Sequence, residues 1–303
     1  MARNLARMLA PRNIAVIGGG NWCASIIDAA LRIGFEGTIV PVHPDGKQIA
    51  GLRAVACLAD CPVPIDAAFV GVNRHATIDI VSELSRLGSG GAVCFASGFT
   101  EATTEDANGA NLQAALVAAA GDMSVLGPNC YGFVNALDRS AIWPDQHGMQ
   151  PVETGVAILT QSSNIAINMT MQQRALPIAY MVTCGNMAQT SQAEIAIALL
   201  DDARVSAIGL HIEGFGNLRD WEVLARKAHQ RGVPLVALKI GKSAQAQRAT
   251  VSHTASLAGG DTGAQALLDR LGIPRVNAVP DFLETLKLLH WAGPLASSRI
   301  PSI

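Results

Sequence analysis

Aromatic residues are scarce in this chain, at 4% of 303 positions, while half the positions are hydrophobic and 29 are glycine. Small side chains in such numbers suit helices packed closely on strands, and they argue against a β-sandwich or a disulfide-stapled scaffold. Charge of one sign is also missing: Lys and Arg number 22 against 24 Asp and Glu, a net charge of −2 with no sustained basic run. Nothing therefore pulls the chain toward nucleic acid or an anionic membrane, and neither is expected as a partner. No apolar run approaches the roughly 20 residues that span a bilayer. The six cysteines (Cys23, Cys57, Cys61, Cys94, Cys130 and Cys184) are scattered. Arg7 and Arg12 interrupt the apolar N-terminal stretch, so it reads as a first helix and not as a secretory signal. Reduced thiols and a cytoplasmic location are expected. Cys57 and Cys61 lack companions at ligand spacing, and no metal site is expected.

A length of 303 residues suits two domains. Short apolar runs over Asn13–Gly18, Gly37–His43, Ile65–Val72, Gly91–Phe95 and Met123–Leu126 read as strands. Helical patterns over Cys23–Ile33, Ala76–Leu87 and Ala110–Ala119 alternate with them, which predicts an α/β unit with a parallel sheet and right-handed crossovers. Ligands of such a sheet bind outside the carboxyl ends of its strands. Five turns fall there: Gly18-Gly19-Gly20-Asn21-Trp22, His43 to Lys47, Val72-Asn73, Ser97-Gly98-Phe99 and Gly127-Pro128-Asn129-Cys130. Singly, each is an ordinary strand-to-helix turn. Together, on one edge, they favour a nucleotide-like ligand.

Periodicity lapses between Asp138 and Thr154, placing one unit at residues 1–140, a linker at 141–153 and a second unit at 154–303. The pattern restarts with strands at Gly155–Thr160, Ile178–Thr183, Val205–Ile212 and Val233–Ile240, a second doubly wound arrangement that is not a sequence repeat of the first. Its strand ends carry Ser162-Ser163-Asn164 at a helix start, Gly185-Asn186, Glu213-Gly214, and a lysine-containing turn, Lys239 to Lys242. A helix start presents N–H groups without intrahelical partners and can hold a phosphate, although Ser162 and Ser163 would serve equally as caps. After the fourth strand comes Ser252-His253-Thr254-Ala255-Ser256, a histidine among hydroxyls and small residues. A neutral imidazole so placed is a competent nucleophile toward phosphorus.

In this order, Gly127-Pro-Asn-Cys130, Thr160-Gln-Ser-Ser163, Cys184-Gly-Asn186, Ile212-Glu-Gly214 and Ser252-His-Thr-Ala-Ser-Leu-Ala-Gly259 resemble the motifs of the NDP-forming acyl-CoA synthetases. That family includes the α subunit of succinyl-CoA synthetase and ADP-forming acetyl-CoA synthetase. The resemblance implies a Rossmann-like CoA-binding domain followed by a flavodoxin-like, doubly wound ligase domain. It implies His253 as the phosphorylated residue, Glu213 as the carboxylate that orients it, and Ser162, Ser163, Asn164, Gly185 and Asn186 as the phosphate cradle. Coenzyme A is then expected at Gly18, Gly19, Gly20, Asn21, Trp22, Lys47, Val72, Asn73, Ser97, Gly98, Asn129 and Cys130. The reaction implied joins a small carboxylic acid to CoA with ATP, through an acyl phosphate and a phosphohistidine, and can reverse.

The chain departs from the family pattern at Trp22, where small residues are usual, at Asn73 in place of a proline, and at Ser163 and Ala255 in place of glycines. No ATP-grasp module is legible, so ATP or ADP and Mg²⁺ are expected on a partner subunit or a fused C-terminal region. The linker-like tail from Gly293 favours the fused form, and an oligomer is expected. Two alternatives remain open on these residues: a CoA-binding regulatory module without turnover, and a branch that couples CoA ligation to a lyase step.

Overall fold

The computed structural model describes residues 4–103, 105–241 and 260–295. After a one-turn helix α1 (Ala6–Leu9), the first unit lays down β1 (Asn13–Ile17), β2 (Thr38–Val42), a small hairpin of β3 (Gln48–Ile49) and β4 (Leu52–Arg53), then β5 (Ala67–Val70), β6 (Gly91–Cys94) and β7 (Ser124–Leu126). Five of these form a parallel sheet in the order β2-β1-β5-β6-β7. Helices α2 (Asn21–Arg32), α3 (Arg74–Arg86) and α4 (Gly109–Ala120) make its crossovers.

The second sheet contains β8 (Phe133–Asn135), β9 (Ser140–Ile142), β10 (Gly155–Thr160), β11 (Ile178–Thr183), β12 (Val205–Ile212), β13 (Leu235–Lys239) and β14 (Arg275–Val276), in the order β14-β13-β12-β10-β11-β8-β9. Helices α5 (Ser163–Thr170), α6 (Gln192–Leu199), α7 (Leu218–Arg231), α8 (Asp261–Leu271) and α9 (Val279–Ala292) accompany it. Taking the parallel strands of each unit in turn, both sheets run 2-1-3-4-5. Each therefore reverses its winding once, between β1 and β5 and between β10 and β12, and at such a reversal a ligand crevice opens. The fold is α/β throughout, as the alternation of patterns predicts.

Strands β5, β6, β10 and β11 are buried at every position, as a parallel sheet covered on both faces demands. Helix α2 serves both units. Its Cys23, Ile26 and Ile27 pack with Val16 and Phe69 of the first sheet, while Ala29 and Ile33 pack with Val134, Ala141 and Trp143 of the second. Edge strand β7 is completed by a side chain: Gln189 accepts from Val125 N–H at 2.9 Å and donates to the carbonyls of Gly121 and Met123 at 3.0 Å. Its amide thus stands in for a neighbouring strand.

An antiparallel hairpin, β8 followed by β9, runs into the stretch where periodicity lapses. Strand β8 lies before the expected domain boundary yet pairs with β11 of the second sheet, and β9, which straddles that boundary, pairs with β8 at the sheet's edge. Strands of three residues are too short to show alternation. Buried Asn135 fixes the hairpin, accepting from Leu137 and Asp138 N–H and donating to Leu9 carbonyl oxygen and Asp138.

His211 is buried on β12 with Nδ1 3.0 Å from Thr160 Oγ1. Burial, and then the charge of Lys239, push its pKa down to about 4. Burial and Arg32 push His147 down to about 4 as well. The unfolded chain titrates these rings near pH 6.5, so between the two values it binds protons that the folded chain refuses. Stability should be complete above about pH 6.5 and fall by on the order of 2–3 kcal/mol per histidine as pH drops toward 4. In urea titrations between pH 7 and 4.5, His211→Asn should flatten this slope by about half. An unaltered slope would contradict the assignment.

Candidate functional site

At the reversal of the second sheet, Thr160 and Ile212 end adjacent strands, and the residues that follow them meet. Gln161 joins the two. Its Oε1 accepts from the N–H groups of both Glu213 and Gly214 at 2.9 Å, and its Nε2 donates to Gly214 carbonyl oxygen at 2.6 Å. Buried and fully engaged, this amide fixes the carboxylate turn relative to the start of α5. Ser162 caps that helix, its hydroxyl accepting from Ile165 N–H, while its own N–H donates to Thr160 Oγ1 at 3.0 Å. The N–H groups of Ser163 and Asn164 have no partners within the helix and carry the positive end of its dipole.

Around this helix start lies a pocket of about 300 Å³, lined by Gln161, Ser162, Ser163, Asn164, Gly185, Asn186 and Glu213 together with Asn129 and Tyr131 from the preceding unit. Gly185 adopts φ +56°, and a Cβ there would stand 2.3 Å from Pro128 carbonyl oxygen, so only glycine lets the two loops approach. Asn186 donates through its backbone to Pro128 carbonyl oxygen at 3.0 Å, and through its side chain to Glu101 of the first unit. Glu101 also accepts from Gly98 N–H.

A second cleft, of about 450 Å³, runs along the first sheet's strand ends and is lined by Val72, Asn73, Arg74, Phe95, Ala96, Ser97, Asn129, Cys130 and Tyr131. The two spaces thus share Asn129 and Tyr131. Asn73 is spent as the cap of α3, accepting from His75 and Ala76 N–H. Gly98 carbonyl oxygen accepts from Arg74 at 2.7 Å, and Arg74 in turn pairs with Asp106. Cys130 is buried, with its thiol 2.9 Å from Thr183 carbonyl oxygen, and burial pushes its pKa up to about 11.

Beside this cleft, Gly18, Gly19 and Gly20 lead into α2, whose cap Gly20 supplies no side-chain bond to the first turn. Gly18 takes φ +124°, and a Cβ there would meet Gly71 carbonyl oxygen at 2.6 Å. Lys47 Nζ donates to Gly19 carbonyl oxygen at 2.9 Å, which sets a cation over the turn near the helix start. Trp22, 45% exposed, leans on Phe95 at 5.2 Å and on Tyr131 at 6.4 Å.

Lys239 ends β13 next to the Glu213 turn. Burial pushes its pKa down, Arg275 adds to that, and Asp261 and Glu213 oppose it. His253, Lys242 and the rest of 242–259 lie outside the described residues. Among the described residues no three His, Cys, Asp or Glu side chains gather as metal ligands, and no helix is long and apolar enough to cross a membrane. A larger groove of about 510 Å³ at the amino end of β12 is walled by the Asp138–Arg204–Asp202 ion pairs and holds none of these converging groups.

Sequence reasoning passed over Gln161, Arg74, Phe95 and Tyr131. Gln161 lay inside a motif read for its hydroxyls, and Tyr131 immediately follows the Gly127-Pro-Asn-Cys130 turn. Only the fold reveals that Arg74 and Phe95 line the first cleft, Gln161 the second pocket, and Tyr131 both.

Residues 12–136 match the model of a CoA binding domain, and residues 153–289 match that of a succinyl-CoA ligase like flavodoxin domain. A trans-feruloyl-CoA synthase from an unknown prokaryotic organism is 31% identical over 280 residues, which is 89% of this chain and 40% of that protein. The α subunit of an ADP-forming acetate–CoA ligase of Pyrococcus furiosus is 28% identical, over 90% of this chain and 60% of the subunit. Among solved structures, an acetyl-coenzyme A synthetase of Ca. Korarchaeum cryptofilum superposes with a TM-score of 0.83 at 25% identity, over 95% of this chain and 62% of that one. The chain therefore spans about two fifths of the first of these relatives. With a CoA binding domain followed by a succinyl-CoA-ligase-like flavodoxin domain, it belongs to the NDP-forming acyl-CoA synthetase family.

Proposed function

We propose that this chain is the CoA- and phosphate-handling part of an ADP-forming acyl-CoA synthetase, and that it works with an ATP-grasp partner or region that supplies the nucleotide and Mg²⁺. One observation carries the reading: the cleft of the first sheet and the pocket of the second share the wall made by Asn129 and Tyr131. A thiol arriving along one and a phosphate held in the other would meet there. The residues at the α2 start fit the phosphates of CoA, a substrate of this reaction: Lys47 brings a cation, and an uncapped first turn brings backbone N–H groups.

In the thioester-consuming direction, a phosphate oxygen attacks the thioester carbonyl carbon, the C–S bond breaks and CoA leaves as thiolate, giving an acyl phosphate. The start of α5 stabilises the phosphate's negative charge, since its N–H groups are aimed before reaction and need no reorganisation. A ring nitrogen of His253 then attacks phosphorus, and the P–O bond to the acyl group breaks with the carboxylate as leaving group. Glu213, held in register by Gln161, fixes the ring's tautomer and offsets the positive charge that develops on it. The phosphoryl group passes to a nucleoside diphosphate on the partner, and the reverse sequence activates the acid. The residue ranges proposed for the two parts are 1–140 and 154–303, joined by 141–153, with the β8–β9 hairpin at the junction contributed to the second sheet.

Calorimetry should show saturable CoA binding, weakened about tenfold by Lys47→Ala in a salt-dependent manner, as expected for one lost charge-assisted phosphate contact. Absence of binding at millimolar CoA, or an unchanged affinity in the variant, would overturn the placement.

The half-reaction needs no nucleotide, so an acyl-CoA with radiolabelled phosphate should label the chain by itself. The label should be acid-labile and base-stable, because a phosphoramidate hydrolyses once its nitrogen is protonated. His253→Ala should abolish it, and Glu213→Gln should slow its formation by ~10²-fold. Ser162→Ala should cost less, since backbone donors remain. An acid-stable label that persists in His253→Ala would move the acceptor to Ser252, Thr254 or Ser256.

A further inference from the structure

Thirteen aromatic side chains serve the whole of this chain, and five of them form one connected array beneath the two clefts. Phe69 packs on Phe95 at 5.5 Å, Phe95 on Trp22 at 5.2 Å and on Tyr131 at 5.8 Å, and Tyr131 meets Trp143 edge-on at 5.8 Å. Phe69 and Trp143 are fully buried and anchor the array at both ends, while Trp22 stays 45% exposed. Tyr131 is half-buried and held between these neighbours, with Asp145 beside its hydroxyl. Its ring is therefore a wall fixed in place and not a mobile side chain.

The position of that wall gives it a task. Tyr131 and Asn129 are the residues common to the cleft along the first sheet and the pocket at the α5 start. An acyl group bonded to sulfur from one side, and to a phosphate oxygen from the other, has to lie across this shared boundary. A two-carbon acyl group would leave most of such a wall uncovered, whereas a planar conjugated one would lie against it. We infer that the acid handled at this site is an aromatic or arylalkenoic carboxylic acid, with Tyr131 as the residue that selects it and Trp22 and Phe95 as its support. This rests on the reading of the two clefts as CoA and phosphate sites.

The test compares binding of free CoA, acetyl-CoA and cinnamoyl-CoA to the 303-residue chain by calorimetry. Cinnamoyl-CoA should bind about tenfold more tightly than acetyl-CoA, the worth of one or two ring-on-ring contacts. Tyr131→Leu, which keeps the packing volume apolar, should bring that ratio close to one, and Tyr131→Phe should retain it. Equal affinity for the two thioesters, with free CoA still bound, would overturn the aromatic acid and leave the CoA site standing. Failure of all three to bind would overturn the CoA site itself. A uniform loss across all three ligands in Tyr131→Leu would assign the aromatic wall to CoA and refute its role in selecting the acid.

Discussion

The amide of Gln161 is the constraint on which the second crevice depends. A doubly wound sheet creates an opening where its winding reverses, but the two strand ends bordering it are joined by no backbone ladder beyond Thr160 and Ile212. Gln161 spans the gap with three hydrogen bonds to the Glu213–Gly214 turn. A carboxylate and a helix start can cooperate on one phosphoryl group only while their separation holds. A side chain with both a donor and two acceptor lone pairs is the least equipment that does this. Replacement by glutamate would put acceptor against acceptor at Gly214 carbonyl oxygen.

The same logic extends to the relation between the two units. Helix α2 is a wedge common to both cores, Gln189 completes the edge of the first sheet from within the second unit, and Glu101 links the Gly98 turn to Asn186. Thr183 adds another tie, accepting from Gly132 N–H and lying opposite the Cys130 thiol. Most of these ties fall close to the Gly127–Gly132 segment. The shared wall of the two clefts is thus held by contacts from both units, which suits the proposed meeting of two substrates there.

Much of this architecture was legible in the residues. Fully apolar runs such as Val156 to Leu159 signal strands covered on both faces, and glycine or asparagine at their carboxyl ends marks the turns that line both clefts. The hairpin of β8 and β9 was not legible, because three residues carry no period and Asn135 reads as a loop residue until its bonds are seen. Tyr131 and Phe95 were hidden for a different reason. An aromatic after a turn is ordinary core material in a one-dimensional pattern, and only tertiary packing turns five scattered rings into one connected array. Trp22 departs from the small residues usual beside the glycine-rich turn, and in the fold it is a member of that array.

The central claim is that thiol and phosphate meet at the wall of Asn129 and Tyr131. A crystal structure of the chain soaked with CoA and inorganic phosphate tests it directly. The account predicts the CoA phosphates beside Lys47 and the α2 start, the sulfur at Asn129 and Tyr131, and the phosphate ion on the N–H groups of Ser163 and Asn164. Density placing CoA away from the first sheet's strand ends, or its sulfur pointing out of the shared wall, would contradict it.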